Sequence, residues 1–323
     1  MDTDRGLLDL ILERIPGLTS RDRIRLAEEF DREGDLAVLS RGEVYELLGK
    51  APPREAWTMD ELKGRAEKDA LILRRNGISL TAYRESGYPP LLRELYDPPA
   101  LIFYRGNLPD PGRPLAALVG TRKPTGEAQA AAFEAARLLG LNGIAVVSGL
   151  ALGIDTMAHR GNLAGGAPTV AVLGSSLDQV YPASNRDLAR RILGAGGAIL
   201  SEYPPETGPR RWNFPARNRI IAGLARGTLV AEAPEKSGAL ITAQFALELG
   251  RDIWLLRAGV DSPQGGGLRN LAESGAPVIE GAGAILEEWG IEPRKTETPA
   301  DGALTGGAAL AERLARSLNI EGL

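Results

Sequence analysis

The chain has 323 residues, 43% of them hydrophobic and 25% charged, which is typical of a folded globular protein. It contains no cysteine, which excludes disulfides, zinc–thiolate sites and iron–sulfur clusters, and its single histidine, His159, excludes a histidine-rich metal site. The net charge of −4 argues against a protein that coats nucleic acid with its whole surface, but it is compatible with a local basic groove. No apolar run reaches the roughly 18 residues of a membrane span, and residues 1–12 lack the basic start of a secretory signal. We therefore expect a cytoplasmic protein without a membrane segment.

Short helices are predicted in the first part of the chain. Residues 7–15 have apolar side chains at spacings of three and four, and Thr19 or Ser20 is placed to cap a second helix. Pro52 and Pro53 indicate a break after these helices. We expect a small helical domain over residues 1–59, of the sterile-alpha-motif or helix-hairpin-helix type.

From residue 60 onwards, short apolar runs alternate with helical patterns. The runs predict strands that are buried on both faces and joined by crossover helices, which is the pattern of a parallel sheet. We predict an α/β core over residues 60–290, with an extended Rossmann-like, doubly wound, mostly parallel sheet. A linker and a short amphipathic helix, Ala309 to Leu318, are predicted over residues 291–323. The predicted strands are 115–119, 144–147, 169–173, 198–200, 228–231 and 253–256, and the helices between them are 127–139, 156–164, 185–193, 217–224 and 239–249.

Four turns rich in small residues follow predicted strands, at 119–122, 148–155, 173–176 and 232–240. Ligands of open α/β sheets bind at this edge, where backbone amides and helix N-termini favour anions. Each turn alone is also what any α/β sheet requires, but several at one edge indicate a ligand that carries phosphate. No glycine-rich dinucleotide fingerprint and no Walker A lysine motif is present, so we expect no nucleotide cofactor and no metal.

The strongest local signal lies between Thr207 and Ala231, where five arginines occur without any acidic residue. Two aromatic residues are interleaved with them, and arginine pairs with phosphates while aromatic rings stack on bases. The pattern predicts a groove for single-stranded nucleic acid. The alternative is a loop whose aromatic residues fill the core while its arginines lie in water. The residues concerned are Arg210, Arg211, Trp212, Phe214, Arg217, Arg219 and Arg226.

Four further residues are candidates for acid–base chemistry or for structural roles. His159 lies four residues after Asp155, so the two share a helix face, and we favour a local hydrogen bond near the helix start over a catalytic pair. Glu202 and Glu232 fall near strand ends, and we favour a role in holding the nearby arginines through ion pairs.

Taken together, these segments resemble the DNA-processing protein A family, also called the Smf family. The resemblance covers about residues 60–285, in order and at the family's spacing. The motifs that carry it are Val-Gly-Thr-Arg at 119–122, Ser-Gly-Leu-Ala-Leu-Gly-Ile-Asp at 148–155 with Ala158-His159, Tyr181-Pro182 with Asn185, Ser-Glu-Tyr-Pro at 201–204, residues 214–224, Glu232-Ala233, residues 237–243, and Gly250-Arg251.

The resemblance implies a Rossmann-like core that binds single-stranded DNA as a homodimer and hands it to the RecA recombinase in natural transformation or recombination. It implies a binding protein rather than an enzyme. Arg122 would clamp a phosphate, Phe214 would stack on a base, and amides near Gly149 and Gly238 would hold further phosphates. The implied DNA-binding residues are Gly120, Thr121, Arg122, Gly149, Phe214, Arg217, Asn218, Arg219, Ser237 and Gly238, with secondary contacts from Lys123, Arg210, Arg211 and Lys236.

The sequence departs from the family at three places. Strand 253–256 leads into Ala258-Gly259 where the family has Pro-Gly. In residues 267–276 the Asn of the family pattern is displaced by one position, in a segment near the expected dimer-forming end of the core. The winged-helix domain that ends many members is expected to be absent or reduced to one helix. Two other hypotheses stay open, a sensor of free nucleotides and a nucleotide-cleaving enzyme of the lysine-decarboxylase-like (LOG) group, although that group's Pro-Gly-Gly-x-Gly-Thr-x-x-Glu motif is not matched.

Overall fold

The computed structural model describes residues 3–294, so the predicted helix 309–318 lies outside the described residues. Helices fill the N-terminal part, and three of them begin at capping boxes. In each box the side chain of Thr19, Ser40 or Thr58 accepts a backbone N–H of the helix. The backbone N–H of the same residue donates to the acidic side chain three positions later. These helices are α1 (Thr3–Arg14), α2 (Ser20–Glu29), α3 (Glu33–Ala37), α4 (Arg41–Leu47) and α5 (Met59–Arg75).

A nine-stranded sheet forms the centre of the molecule, with the strand order β1-β2-β6-β5-β4-β3-β7-β8-β9. Seven strands, β3 to β9, are parallel, whereas β2 is antiparallel to both of its neighbours. This mostly parallel sheet confirms the predicted fold class. The strands are β1 (Ser79–Ala82), β2 (Leu101–Gly106), β3 (Leu115–Val119), β4 (Ala145–Ser148), β5 (Val170–Val172), β6 (Ala198–Ser201), β7 (Gly227–Val230), β8 (Asp252–Leu256) and β9 (Val278–Ile279).

Helices cover both faces of the sheet. Neighbouring residues of β3 point to opposite sides, so Ala116 and Leu118 contact one apolar cluster while Ala117 and Val119 contact another. Strands buried on both faces are therefore apolar throughout, which is why they were predictable. The covering helices are α6 (Gly126–Leu141), α7 (Ile154–Ala164), α8 (Arg186–Gly194), α9 (Asn213–Leu224), α10 (Gly238–Glu248), α11 (Arg257–Asp261), α12 (Gly266–Glu273) and α13 (Gly283–Glu288), with 3-10 turns at Pro90–Glu94 and Ala183–Asn185.

The N-terminal helices share a hydrophobic core with the sheet. Leu8 and Leu62 belong to the same buried cluster as Leu173 and Ile199, which lie on or beside β5 and β6. Helix α5 also holds Arg14 of α1 through Asp69, with two bonds of 2.6 Å. The predicted boundary between residues 59 and 60 thus falls in the first turn of α5, and the division into domains stays a prediction.

The direction of strand order changes beside β3. Strands β4, β5 and β6 follow on one side of it, and β7, β8 and β9 follow on the other. The crossover helices diverge at such a switch point and leave a crevice at the carboxyl ends of the strands. The turns after β3 and β7 meet there, with the Thr121 amide donating to the Glu232 carbonyl oxygen at 2.8 Å.

Candidate nucleic-acid interface

An open cleft of about 780 Å³ lies at the switch point, between the turn after β3 and the start of α10. Its wall contains exposed cationic side chains, a half-buried phenylalanine and the first residues of α10. The cleft brings together most of the residues predicted to bind DNA. These are Gly120, Thr121, Arg122, Lys123, Arg211, Phe214, Arg217, Asn218, Lys236, Ser237 and Gly238.

Arg122 and Phe214 form one pair in the wall. The Arg122 guanidinium lies 5.4 Å from the centre of the Phe214 ring, a distance typical of a cation–π contact. Arg122 is exposed, so its remaining N–H groups are available to an anion in the cleft. A phosphate on the guanidinium and a base beside the ring would both fit this arrangement.

The N-terminus of α10 lies on the opposite wall. Ser237 caps it by accepting the Ala239 amide at 3.3 Å, and the side-chain amide of Asn218 donates to the Gly238 carbonyl oxygen at 3.0 Å. No atom of another described residue lies within 4 Å of the position that a side chain of Gly238 would occupy, so ligand atoms have room to approach the backbone. The partial positive charge of this helix end favours an anion.

Arg217 lines the cleft, but its guanidinium is bonded to backbone carbonyl oxygens and is not free to clamp a phosphate, which corrects the role predicted for it. Its side chain is buried, and its guanidinium donates to the Val172 carbonyl oxygen and, at 3.0 Å, to that of Gly149. Burial lowers the pKa of Arg217 to about 10, opposed by Asp155, so the group is charged at neutral pH. Arg217 therefore supplies positive charge from beneath the floor of the cleft and fixes the turn after β4.

The amide of Gly149 was expected to hold a phosphate, but it is already occupied. It donates to the Asp155 carboxylate at 3.1 Å, as does the amide of Ala151 at 3.3 Å. The need for glycine is instead steric, because a side chain at 149 would meet the Arg217 guanidinium and the Asp155 carboxylate. Burial raises the pKa of Asp155, and Arg217 opposes that rise.

Arg219 faces away from the cleft, which also corrects its predicted role. Its guanidinium forms two bonds with Glu202, of 2.7 and 2.6 Å, and its Nε donates to the Asp97 carbonyl oxygen at 3.0 Å. Glu202 therefore forms an ion pair with Arg219 and holds its guanidinium in place. Arg219 links α9 to the segment before β2.

Glu232 forms no ion pair with an arginine of residues 3–294, in contrast to the ion pair expected for it. The buried carboxylate accepts the amide of Thr125 at 2.9 Å and its hydroxyl at 3.0 Å, and Ser262 donates a further bond. Thr125 caps α6, so Glu232 fixes the loop that carries Arg122 and Lys123. Its role is to position the basic loop.

His159 is fully buried, and its Nδ1 lies 2.8 Å from the Thr169 hydroxyl at the start of β5. The expected hydrogen bond at the helix start is therefore not formed. Burial lowers the pKa of His159 to about 3, so the ring is neutral at pH 7. A buried neutral ring that contacts neither Asp155 nor the cleft is a structural group.

The arginine-rich segment before α9 is exposed. Trp212 has 67% of its surface accessible, and the Arg210 guanidinium lies 5.6 Å from its ring. Trp212 does not fill the core, so the alternative interpretation of this loop is wrong for its tryptophan. Arg210 lies outside the main cleft, whereas Arg211 lines it.

Two exposed residues beside the cleft were not predicted. Tyr181 lies with its ring 5.7 Å from that of Phe214, and Leu152 lines a small recess beside these two rings. Tyr181 belongs to the Tyr-Pro motif that carries part of the resemblance, and this motif was the one sign in the sequence that Tyr181 could have a function. Its place beside Phe214 depends on the tertiary fold. Within residues 3–294, no three acidic or histidine residues cluster closely enough to hold a metal ion, and no helix is long and apolar enough to cross a membrane.

The fold and the cleft define an α/β protein of the Rossmann-like, doubly wound class. Residues 79–290 match the family described as DNA recombination-mediator protein A, and the chain belongs to this family, which confirms the resemblance drawn from the motifs. Protein Smf of Synechocystis is 40% identical over 269 residues, which cover 77% of this chain and 67% of that protein.

Two solved structures are similar over most of their length. The X-ray structure of DNA processing protein A from Streptococcus pneumoniae superposes with a TM-score of 0.72 at 33% identity, covering 87% of this chain and 97% of that one. The structure describing the single-stranded DNA binding mode of DNA processing protein A from Helicobacter pylori has a TM-score of 0.59 at 28% identity, covering 66% of this chain and 97% of that one.

Proposed function

We propose that this protein binds single-stranded DNA in the cleft at the switch point, protects the strand and hands it to the RecA recombinase. The observation that carries the proposal is the pairing of exposed cations with an accessible aromatic ring in one open cleft of about 780 Å³. The relative from Helicobacter pylori, whose structure concerns single-stranded DNA binding, supports the same ligand here.

The proposed contacts follow from the geometry. Arg122, Lys123 and Lys236 neutralise phosphates because they are exposed at the cleft wall, and Phe214 stacks on a base. The start of α10 favours a further phosphate through the partial positive charge of the helix end, and Gly238 leaves room for the phosphate to approach it. Binding is then largely independent of sequence, because phosphate contacts and stacking carry little base information.

A binding role is favoured over catalysis by the state of the polar groups. Among the described residues that line the cleft, Asp155 is the one carboxylate, and two backbone amides already bind it. His159 is buried and neutral. A general base has to reach the substrate with a free acceptor atom; His159 is out of reach, and two backbone amides compete for the Asp155 carboxylate.

We further propose that the protein acts as a homodimer in the cytoplasm during natural transformation or recombination. This part of the proposal follows from the resemblance to the DNA-processing protein A family. A monomeric mass in solution at micromolar concentration would contradict the dimer. Faster RecA filament assembly on protein-coated strands would support the hand-over, and an unchanged rate would contradict it.

Fluorescence anisotropy tests the ligand. Labelled oligo-dT and a matched duplex are titrated at low salt, with thymidine monophosphate as competitor. Tight binding of oligo-dT that excess mononucleotide does not displace is expected, because several phosphates and a base act together. Efficient displacement by the mononucleotide would favour a nucleotide sensor instead.

A further inference from the structure

A second, smaller recess adjoins the main cleft on the far side of Phe214. It has a volume of about 60 Å³ and shares Arg122, Ala151, Phe214 and Arg217 with the cleft. Its remaining lining comes from exposed apolar side chains and from two glycine turns. These residues are Gly149, Leu152, Gly174, Tyr181 and Pro182.

The recess has the chemistry of a site for a flat, uncharged ring. Tyr181 and Leu152 are 45% and 48% exposed, so both offer apolar surface to a ligand. The Tyr181 ring is tilted by 44° to that of Phe214 at 5.7 Å, so the two rings are not stacked face to face. No carboxylate is among the described residues that line it, so nothing repels a neighbouring phosphate.

Glycine at position 174 helps to form the recess. A side chain there would lie 3.0 Å from the Phe214 ring, which is tighter than ordinary van der Waals contact. Gly174 therefore lets Phe214 sit against the turn after β5. The position of Phe214, which lines both cavities, depends on this close approach.

We propose that the recess binds one unpaired nucleobase, stacked on Tyr181, while the adjoining phosphates stay in the main cleft. This inference rests on the proposed function. Arg122 marks the crossing point, because it lines both cavities and its charge holds the phosphodiester that joins them. A base in a duplex is stacked between its neighbours and paired, so it does not enter the recess. Tyr181 is thus a determinant of the preference for single strands.

The test combines a protein variant with a ligand variant. Affinities of wild type and Tyr181→Ala are measured by anisotropy for oligo-dT and for an abasic oligomer of equal length, which keeps the phosphates and lacks the bases. Loss of one base stack weakens binding about tenfold. We expect this loss for oligo-dT and no effect of the substitution on the abasic oligomer.

Three control variants isolate the stacking. Tyr181→Phe keeps an aromatic ring and is expected to bind like wild type, whereas Leu152→Ala removes another wall of the recess and is expected to weaken oligo-dT by a smaller factor. Tyr96→Ala removes an exposed tyrosine that lines neither cavity, so its affinity is expected to be unchanged.

The outcomes separate this inference from the proposed function. Equal oligo-dT affinity of wild type and Tyr181→Ala overturns the base recess while the main cleft stands. An equal loss on oligo-dT and on the abasic oligomer also overturns it, because the effect would not involve a base. Failure of the wild-type protein to bind oligo-dT at low salt would overturn the proposed function itself.

Discussion

Replacing Arg219 by methionine separates a stabilising arginine from a DNA-binding one. The Arg219 and Glu202 side chains are 11% and 16% exposed and joined by two bonds of 2.7 and 2.6 Å. Burial alone would lower the pKa of Arg219, but the Glu202 carboxylate outweighs this effect and raises the pKa. Arg219→Met therefore leaves a largely buried carboxylate without its cation.

The expected cost follows from this geometry. Removing one partner of a buried ion pair typically costs about 3–5 kcal/mol, and the partial exposure of this pair places the loss near the lower end, at about 3 kcal/mol. Adding Glu202→Gln removes the unpaired charge. The double variant should regain about half of the loss, so the coupling amounts to about 1.5 kcal/mol plus the cost of Glu202→Gln alone.

Urea unfolding of the four proteins, followed by tryptophan fluorescence, measures the free energies of unfolding and hence the coupling. Oligo-dT affinity is measured without urea on the same preparations. We expect Arg219→Met to lower stability and to leave the affinity of the folded protein within about twofold. A variant of wild-type stability that loses tenfold in affinity would refute the assignment, since Arg219 would then bind phosphate.

Three further predictions concern the cleft and the N-terminal helices. Gly149→Ala places a methyl group 2.6 Å from the Arg217 guanidinium, so a loss of about 1–3 kcal/mol is expected in urea unfolding, and unchanged stability would contradict the packing. Burial raises the pKa of Glu13 from 4.5 to about 7, opposed by Arg23, so the folded state favours the protonated carboxyl. The stabilisation of the folded state by the uncharged Glu13 carboxyl is fully present below about pH 4.5 and is lost as the pH rises towards 7. Glu13→Gln should therefore gain up to about 3 kcal/mol over wild type at pH 8 and nothing at pH 4, as urea midpoints would show; an equal difference at both pH values would contradict it. Lys236→Ala should weaken oligo-dT binding at low salt and converge with wild type at high salt in anisotropy titrations, whereas a salt-independent loss would exclude a phosphate contact.

The fold was predictable where the burial of an element requires a simple pattern of apolar residues in the sequence. Strands β3 and β7 are covered on both faces and therefore read as unbroken apolar runs. Strand β1 lies at the sheet edge and has the four-residue sequence Ser-Leu-Thr-Ala, so it contains no apolar run from which a strand could be predicted. Its pairing with β2 depends on long-range contacts that no local pattern reports.

The site was predictable in its location and in part of its chemistry. Arg122 lies in the turn after β3 and Phe214 in the first turn of α9, and these two turns meet at the cleft. Arg217 and Arg219 were predicted to act alike, yet two residues along a helix are separated by about 200° around its axis. They therefore point to different sides of α9, one beneath the cleft and one towards Glu202. The composition of the segment showed its charge, but not these directions.

Exposed cations in the cleft are proposed to bind the phosphates of single-stranded DNA. The most direct measurement is the salt dependence of oligo-dT affinity for wild type and Arg122→Ala. Each phosphate neutralised on a single strand contributes about −0.7 to the slope of log affinity against log salt concentration. We expect a steep negative slope for wild type and a slope shallower by about 0.7 for the variant. Equal slopes would contradict the account, because Arg122 would then bind no phosphate in this cleft.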